Sequence, residues 1–145
     1  IAAAASGVVQ GAIKATSDDS AASTTEVITA AASGATSGAI EATAGDDSAG
    51  RSAAITAAAS GATSGAVEAT SSDGDTSAVD AIAAVTSGAT KGATDAGFDS
   101  EAAATAVQKA VQETTGGEGS AETDSTTVTS EDRDTTLVSP NTPAK

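Results

Sequence analysis

Four Gly-x-x-x-Gly motifs recur in this chain at one fixed spacing. Gly7/Gly11, Gly34/Gly38, Gly61/Gly65 and Gly88/Gly92 each follow the previous pair by 27 residues. Ile1, Ile28, Ile55 and Ile82 keep the same register. The second and third copies, Ile28–Ala44 and Ile55–Ser71, differ only at Ile40/Val67 and Ala44/Ser71. A fixed period marks a repeat architecture, in which one small unit buries its apolar face only against its neighbours. The chain is therefore read as one module used four times.

Projected at 100° per residue, the second copy is amphipathic as a helix. Ile28, Ala31, Ala32, Gly34, Ala35, Gly38, Ala39 and Ala42 fill one arc of roughly 160° with no polar member. Ser33, Ser37 and Glu41 lie across from it, and Thr29, Thr36 and Thr43 form a separate stripe beside Ile40. Strand alternation fails at Ala30-Ala31-Ala32, which has no period-2 contrast. Ser23-x-x-Glu26 and Ser77-x-x-Asp80 read as capping boxes, and Asp99-Ser100-Glu101 can start a fifth helix ending near Gln112. Asp/Ser/Gly turns are expected at Ser17–Ser20, Gly45–Gly50, Ser71–Ser77 and Gly97–Ser100. Short connections favour antiparallel neighbours.

Glycine in a helix interior costs about 1 kcal/mol against alanine. Eight such glycines are tolerated where they let helix backbones approach closely and gain dispersion and Cα–H···O contacts. In this respect the module resembles glycine-zipper helices as a packing class. The resemblance implies a mode of assembly and no particular activity. The helix-packing residues are then Gly7, Gly11, Gly34, Gly38, Gly61, Gly65, Gly88 and Gly92. The Thr side offers a candidate inter-subunit face: Thr29, Thr36, Ile40 and Thr43, and equivalently Thr56, Thr63, Val67 and Thr70.

Composition narrows the chemistry. The chain has no Cys, His, Trp, Tyr or Met, and Phe98 is its one aromatic residue. No imidazole or thiol is present for acid–base or nucleophilic catalysis, so no enzyme, cofactor, metal centre or small-molecule substrate is expected. Ile, Val, Leu and Phe number only 18 of 145 residues, and the net charge is −14, values more often met in disordered chains. The excess of carboxylates argues against nucleic acid and anionic membranes as partners. The apolar stretches are too short and too rich in Ser and Thr for a membrane span. Acidic residues gather at Asp18/Asp19, Asp46/Asp47, Asp73/Asp75 and Asp99/Glu101, without the Asp-x-Asp-x-Asp-Gly pattern of a calcium loop. They read as helix caps and solvated surface.

From Thr114 onward the chain is rich in Thr, Ser, Glu and Gly, with a short β-prone run at Thr135–Val138 before two prolines. This tail, 114–145, reads as disordered or as an extended arm reaching a neighbouring subunit. The expectation is thus an all-α, up-down array of four to five Ala/Gly-rich helices over 1–113, followed by that tail. An alanine seam buries little area, so an isolated chain should be marginal and gain by packing on copies of itself. The opening Ile suits a mature, processed product. The expected function is a secreted structural subunit that polymerises into an extracellular filament or surface layer, with itself as partner. The alternative is an ice-binding or surface-adsorbing protein using the Thr stripe. A third reading is a stress-protective hydrophilic chain, disordered until dried or bound.

Overall fold

The computed structural model describes residues 1–16, 23–73 and 76–116. Five helices make up these residues, with no strand among them: α1 (Ala2–Thr16), α2 (Thr24–Ala42), α3 (Ser48–Asp73), α4 (Ala78–Asp95) and α5 (Ser100–Thr114). The expected turn at Ser17–Ser20, with Asp18 and Asp19, lies outside the described residues. So do Asp75 and residues 117–145, with Thr135–Val138.

The helix starts follow from their capping side chains. Ser23 and Glu26 form the reciprocal box: the Glu26 N–H donates to Ser23 Oγ (3.3 Å) and the Ser23 N–H to Glu26 Oε2 (3.1 Å). Ser77 accepts from the Asp80 N–H at 3.1 Å, and Asp99 accepts from the Glu101 and Ala102 N–H groups. Each satisfies donors that a helix N-terminus otherwise leaves unpaired.

The third helix is longer than its sequence punctuation suggests. The Gly45–Gly50 connection is cut short because Asp47 acts as a cap, its Oδ1 accepting from the Gly50 N–H at 2.8 Å. Gly50 therefore sits in the first turn. At the other end α3 runs on through Ser71, Ser72 and Asp73, since no Gly or Pro interrupts it before Gly74. The Thr70 and Ser71 hydroxyls fold back onto the carbonyls of Ala66 (2.8 Å) and Val67 (2.6 Å). At the end of α4 the chain reverses at Gly97, whose φ of 81° is a left-handed conformation favouring glycine. The Phe98 N–H reaches the Ala93 carbonyl (3.0 Å) and the Gly97 N–H that of Thr94 (2.9 Å), a Schellman closure. This turn swings Phe98 into a cluster with Ile40, Ile55, Ala89 and Val107. The Arg51 guanidinium lies over the ring, 5.4 Å from its centroid.

The helices stack as two columns, α1–α3–α5 and α2–α4, and the chain crosses from one to the other at every turn. Within a column the helices are parallel. Ala2 and Ser6 of α1 lie against Gly61 and Gly65 of α3, and Thr29 and Ser33 of α2 lie against Gly88 and Gly92 of α4. The two contacts are one and the same, moved along by a single repeat. Between the columns run the few large apolar side chains: Val9, Ile28, Ile55, Val85 and Val107 are fully buried. Burying each contributes about 1.5–3 kcal/mol, and the rest of the core is mostly alanine. Repeat position now decides burial. Ile28 and Ile55, in the middle of the array, have no exposed surface, whereas Ile1 at its edge is 53% exposed.

Candidate functional site

The eight glycines divide into two sets. Gly61, Gly65, Gly88 and Gly92 are buried where two helix backbones meet. A Cβ on Gly65 would stand 2.6 Å from the Ser6 carbonyl oxygen. On Gly61, Gly88 or Gly92 it would come closer still to the carbonyls of Ala2, Thr29 and Ser33. The obstacle is backbone in every case, so no side-chain rearrangement can relieve it. Gly7, Gly11, Gly34 and Gly38 are exposed, and a Cβ on any of them would meet nothing within 4 Å among the described residues. Helices α1 to α4 carry the same glycine face in sequence, but among the described residues only α3 and α4 have a helix lying on it.

The covered faces share a second feature. Polar side chains bridge their edges: Ser37 Oγ of α2 donates to the Gly92 carbonyl of α4 at 2.8 Å. One repeat earlier the same edge carries Gln10 of α1, whose Nε2 donates to Glu68 Oε2 of α3 at 2.6 Å. The α1–α3 and α2–α4 pairs therefore each combine a glycine face, a ridge of small residues and a polar clasp.

The Thr face turns inward. Thr36, Ile40, Thr63 and Thr70 are buried within the chain itself, and Thr29, Thr43, Thr56 and Val67 are half-buried. In a simple bundle this side of α2 and α3 would be free. Here each of these helices has column and chain neighbours around it, which bury Thr36, Ile40, Thr63 and Thr70 and leave the other four partly exposed. Burial of the hydroxyls is affordable because most donate to a carbonyl one turn back in their own helix: Thr63 to Ala59, Thr70 to Ala66, Thr43 to Ala39. Thr36 departs from this pattern: its buried Oγ1 has no hydrogen-bond partner among the described residues.

The open side of α1 and α2 forms a shallow apolar groove that includes Val8, Ala12, Val27, Ala31, Gly34 and Ala35. Val8 is 50% exposed there. A second apolar exposure is Val79 at the start of α4, 74% exposed. Among the described residues no three acidic side chains gather into a metal-holding group, and no helix is long and apolar enough to cross a membrane. The Asp residues the structure places at helix starts, Asp47, Asp80 and Asp99, are engaged in capping. No known family, curated protein or solved structure matches the chain.

Proposed function

We propose that this chain is a structural subunit that associates with copies of itself, forming an extracellular filament or surface layer through glycine-zipper contacts between helices. The observation that carries this reading is the duplication of one surface in two environments. Ile28–Ala39 and Ile55–Ala66 are identical in sequence. In α3 the glycines of that segment are buried under α1, and in α2 they are exposed. A surface that has a partner on α3 presents, one repeat away on α2, the same shape and chemistry without one among the described residues. The reading assigns no catalytic role. The ice-binding alternative needs a bare Thr face, and the burial of Thr36, Thr63 and Thr70 gives it no support.

Sedimentation velocity over a wide concentration range tests the proposal. The protein should form assemblies that grow with concentration and appear as regular objects by electron microscopy. Gly34→Leu with Gly38→Leu should keep the helical circular dichroism spectrum and the melting temperature while losing the assemblies. A wild-type protein that sediments as a monomer at every concentration overturns the reading.

A further inference from the structure

We infer that Thr135–Val138 of this chain fold back into the apolar cleft between the start of α4 and the end of α5, covering Val79. The inference stands apart from the self-association reading, since it concerns a single copy. The cleft holds about 580 Å³, within the range of about 300–1,000 Å³ of sites that enclose a ligand. Helix α3 forms its floor through Thr63 and Val67, and its walls carry Val79 and Ile82 on α4 and Val111 on α5. Val79 is 74% exposed, and Val67, Ile82 and Val111 are half-buried. Four of the chain's 18 large apolar residues thus meet at one opening.

The sequence after α5 holds one segment suited to that opening. The repeat supplies no further glycine helix, because Thr115 stands one period after Gly88, where a fifth glycine face would begin. Beyond Gly116 the large apolar residues are Val128, Leu137 and Val138, and Leu137 is the only leucine of the chain. Val128 belongs to an acidic stretch that runs from Glu118 to Asp134 with one cation, Arg133. Residues 135–144 carry no charge. Glu68 is the one ionised side chain lining the cleft, so it repels the acidic stretch and admits the neutral one. The β-branched Thr135, Thr136 and Val138 favour an extended backbone, and Pro140 holds Ser139 out of the helical region. An extended segment is narrower than a helix and suits a cleft walled by two helices.

The chain also leaves the fold at the right place. Thr114 and Thr115, at the end of α5, line the cleft themselves. The residues between Gly116 and Thr135 span at most about 60 Å when extended, ample for a return to a cleft that begins where they do. Attachment to the same chain gives the segment an effective concentration on the order of millimolar. A copy's own segment therefore fills the cleft ahead of a neighbour's.

The test follows trypsin cleavage after Arg133 in the full chain, with the products identified by mass. Cleavage beside the docked segment requires it to leave the cleft, so the rate reads the open population. Val79→Asp and Leu137→Asp should each raise that rate about tenfold, the effect of losing roughly one buried aliphatic side chain. Because both break the same contact, the double variant should be cut no faster than either. Val79 is exposed in the first turn of α4, where a carboxylate suits the helix, so Val79→Asp should keep the wild-type circular dichroism spectrum. The chain has no cysteine, which makes Val79→Cys with Leu137→Cys a clean second probe. Oxidation should close a disulfide within one chain, with a yield independent of protein concentration. Equal cleavage of wild type and variants, or a disulfide that forms only between copies, overturns the inference and leaves self-association standing.

Discussion

Helices α2 and α3 share twelve consecutive residues, Ile28–Ala39 and Ile55–Ala66, yet these residues live in different surroundings. The glycines of α3 sit against a carbonyl ridge, and those of α2 face open space. Ile28 and Ile55, by contrast, are equally buried. The isoleucine of the repeat is thus buried in both copies, while the glycine stripe is covered in α3 and not in α2 among the described residues. A repeat encodes what its surface can do; rank in the array decides whether it does it.

Substitution at equivalent glycines breaks or sharpens this comparison most directly. Gly61→Leu should destabilise the fold by about 3 kcal/mol or more, because its side chain would have to displace the α1 backbone. Gly34→Leu, at the equivalent position, should leave the melting temperature within a few degrees of wild type. Equal losses at both sites would show that the two helices are not differently placed. Alanine sharpens the contrast into one of sign. Gly34→Ala should stabilise by about 1 kcal/mol through helix propensity alone. Gly61→Ala should destabilise, since even one methyl group meets the Ala2 carbonyl. Urea unfolding of the two variants side by side decides it.

The threonines allow a finer comparison of the same two helices. Thr63 buries a hydroxyl that is bonded to the Ala59 carbonyl, whereas Thr36 buries one with no partner among the described residues. An unsatisfied buried hydroxyl costs about 1–3 kcal/mol. Thr36→Val should therefore raise stability by about 1 kcal/mol, and Thr63→Val should change it less. The first repeat already carries valine there, as Val9, fully buried. A smaller loss, about 0.5–1 kcal/mol, is expected for Ser37→Ala, which removes the clasp to the Gly92 carbonyl.

Much of the fold was legible because it depends on local chemistry. The caps at Ser23, Ser77 and Asp99 announce three helix starts, and the phase of Ile28 and Ile55 announces which side is buried. The extent of α3 was less legible. Gly45–Gly50 resembles a turn throughout, yet one carboxylate, Asp47, begins a helix inside it. Least legible was the division of the glycines. Gly34 and Gly61 have identical neighbours for several residues on either side, so no local rule can separate them. What separates them is the preceding helix two places back in the chain, which α3 has in α1 and α2 lacks among the described residues. The same non-local cause turned the Thr face inward, because stacking in two columns surrounds a helix that a single-layer array would leave half bare.

The threonine hydroxyls bonded to their own helix have a thermodynamic consequence as well. Unfolding a core of alanine, glycine and threonine methyl groups exposes little apolar surface for each residue released, together with hydroxyls and peptide groups that water welcomes. Apolar exposure raises the heat capacity by about 0.45 cal/mol/K for each Å² and polar exposure lowers it by about 0.26. The heat-capacity increment of this chain should accordingly fall below the usual value of about 12–15 cal/mol/K per residue. Its stability curve is then broad and shallow, with a modest maximum that declines slowly toward both warm and cold, so that the fold tolerates chilling better than a leucine-rich core of equal stability would.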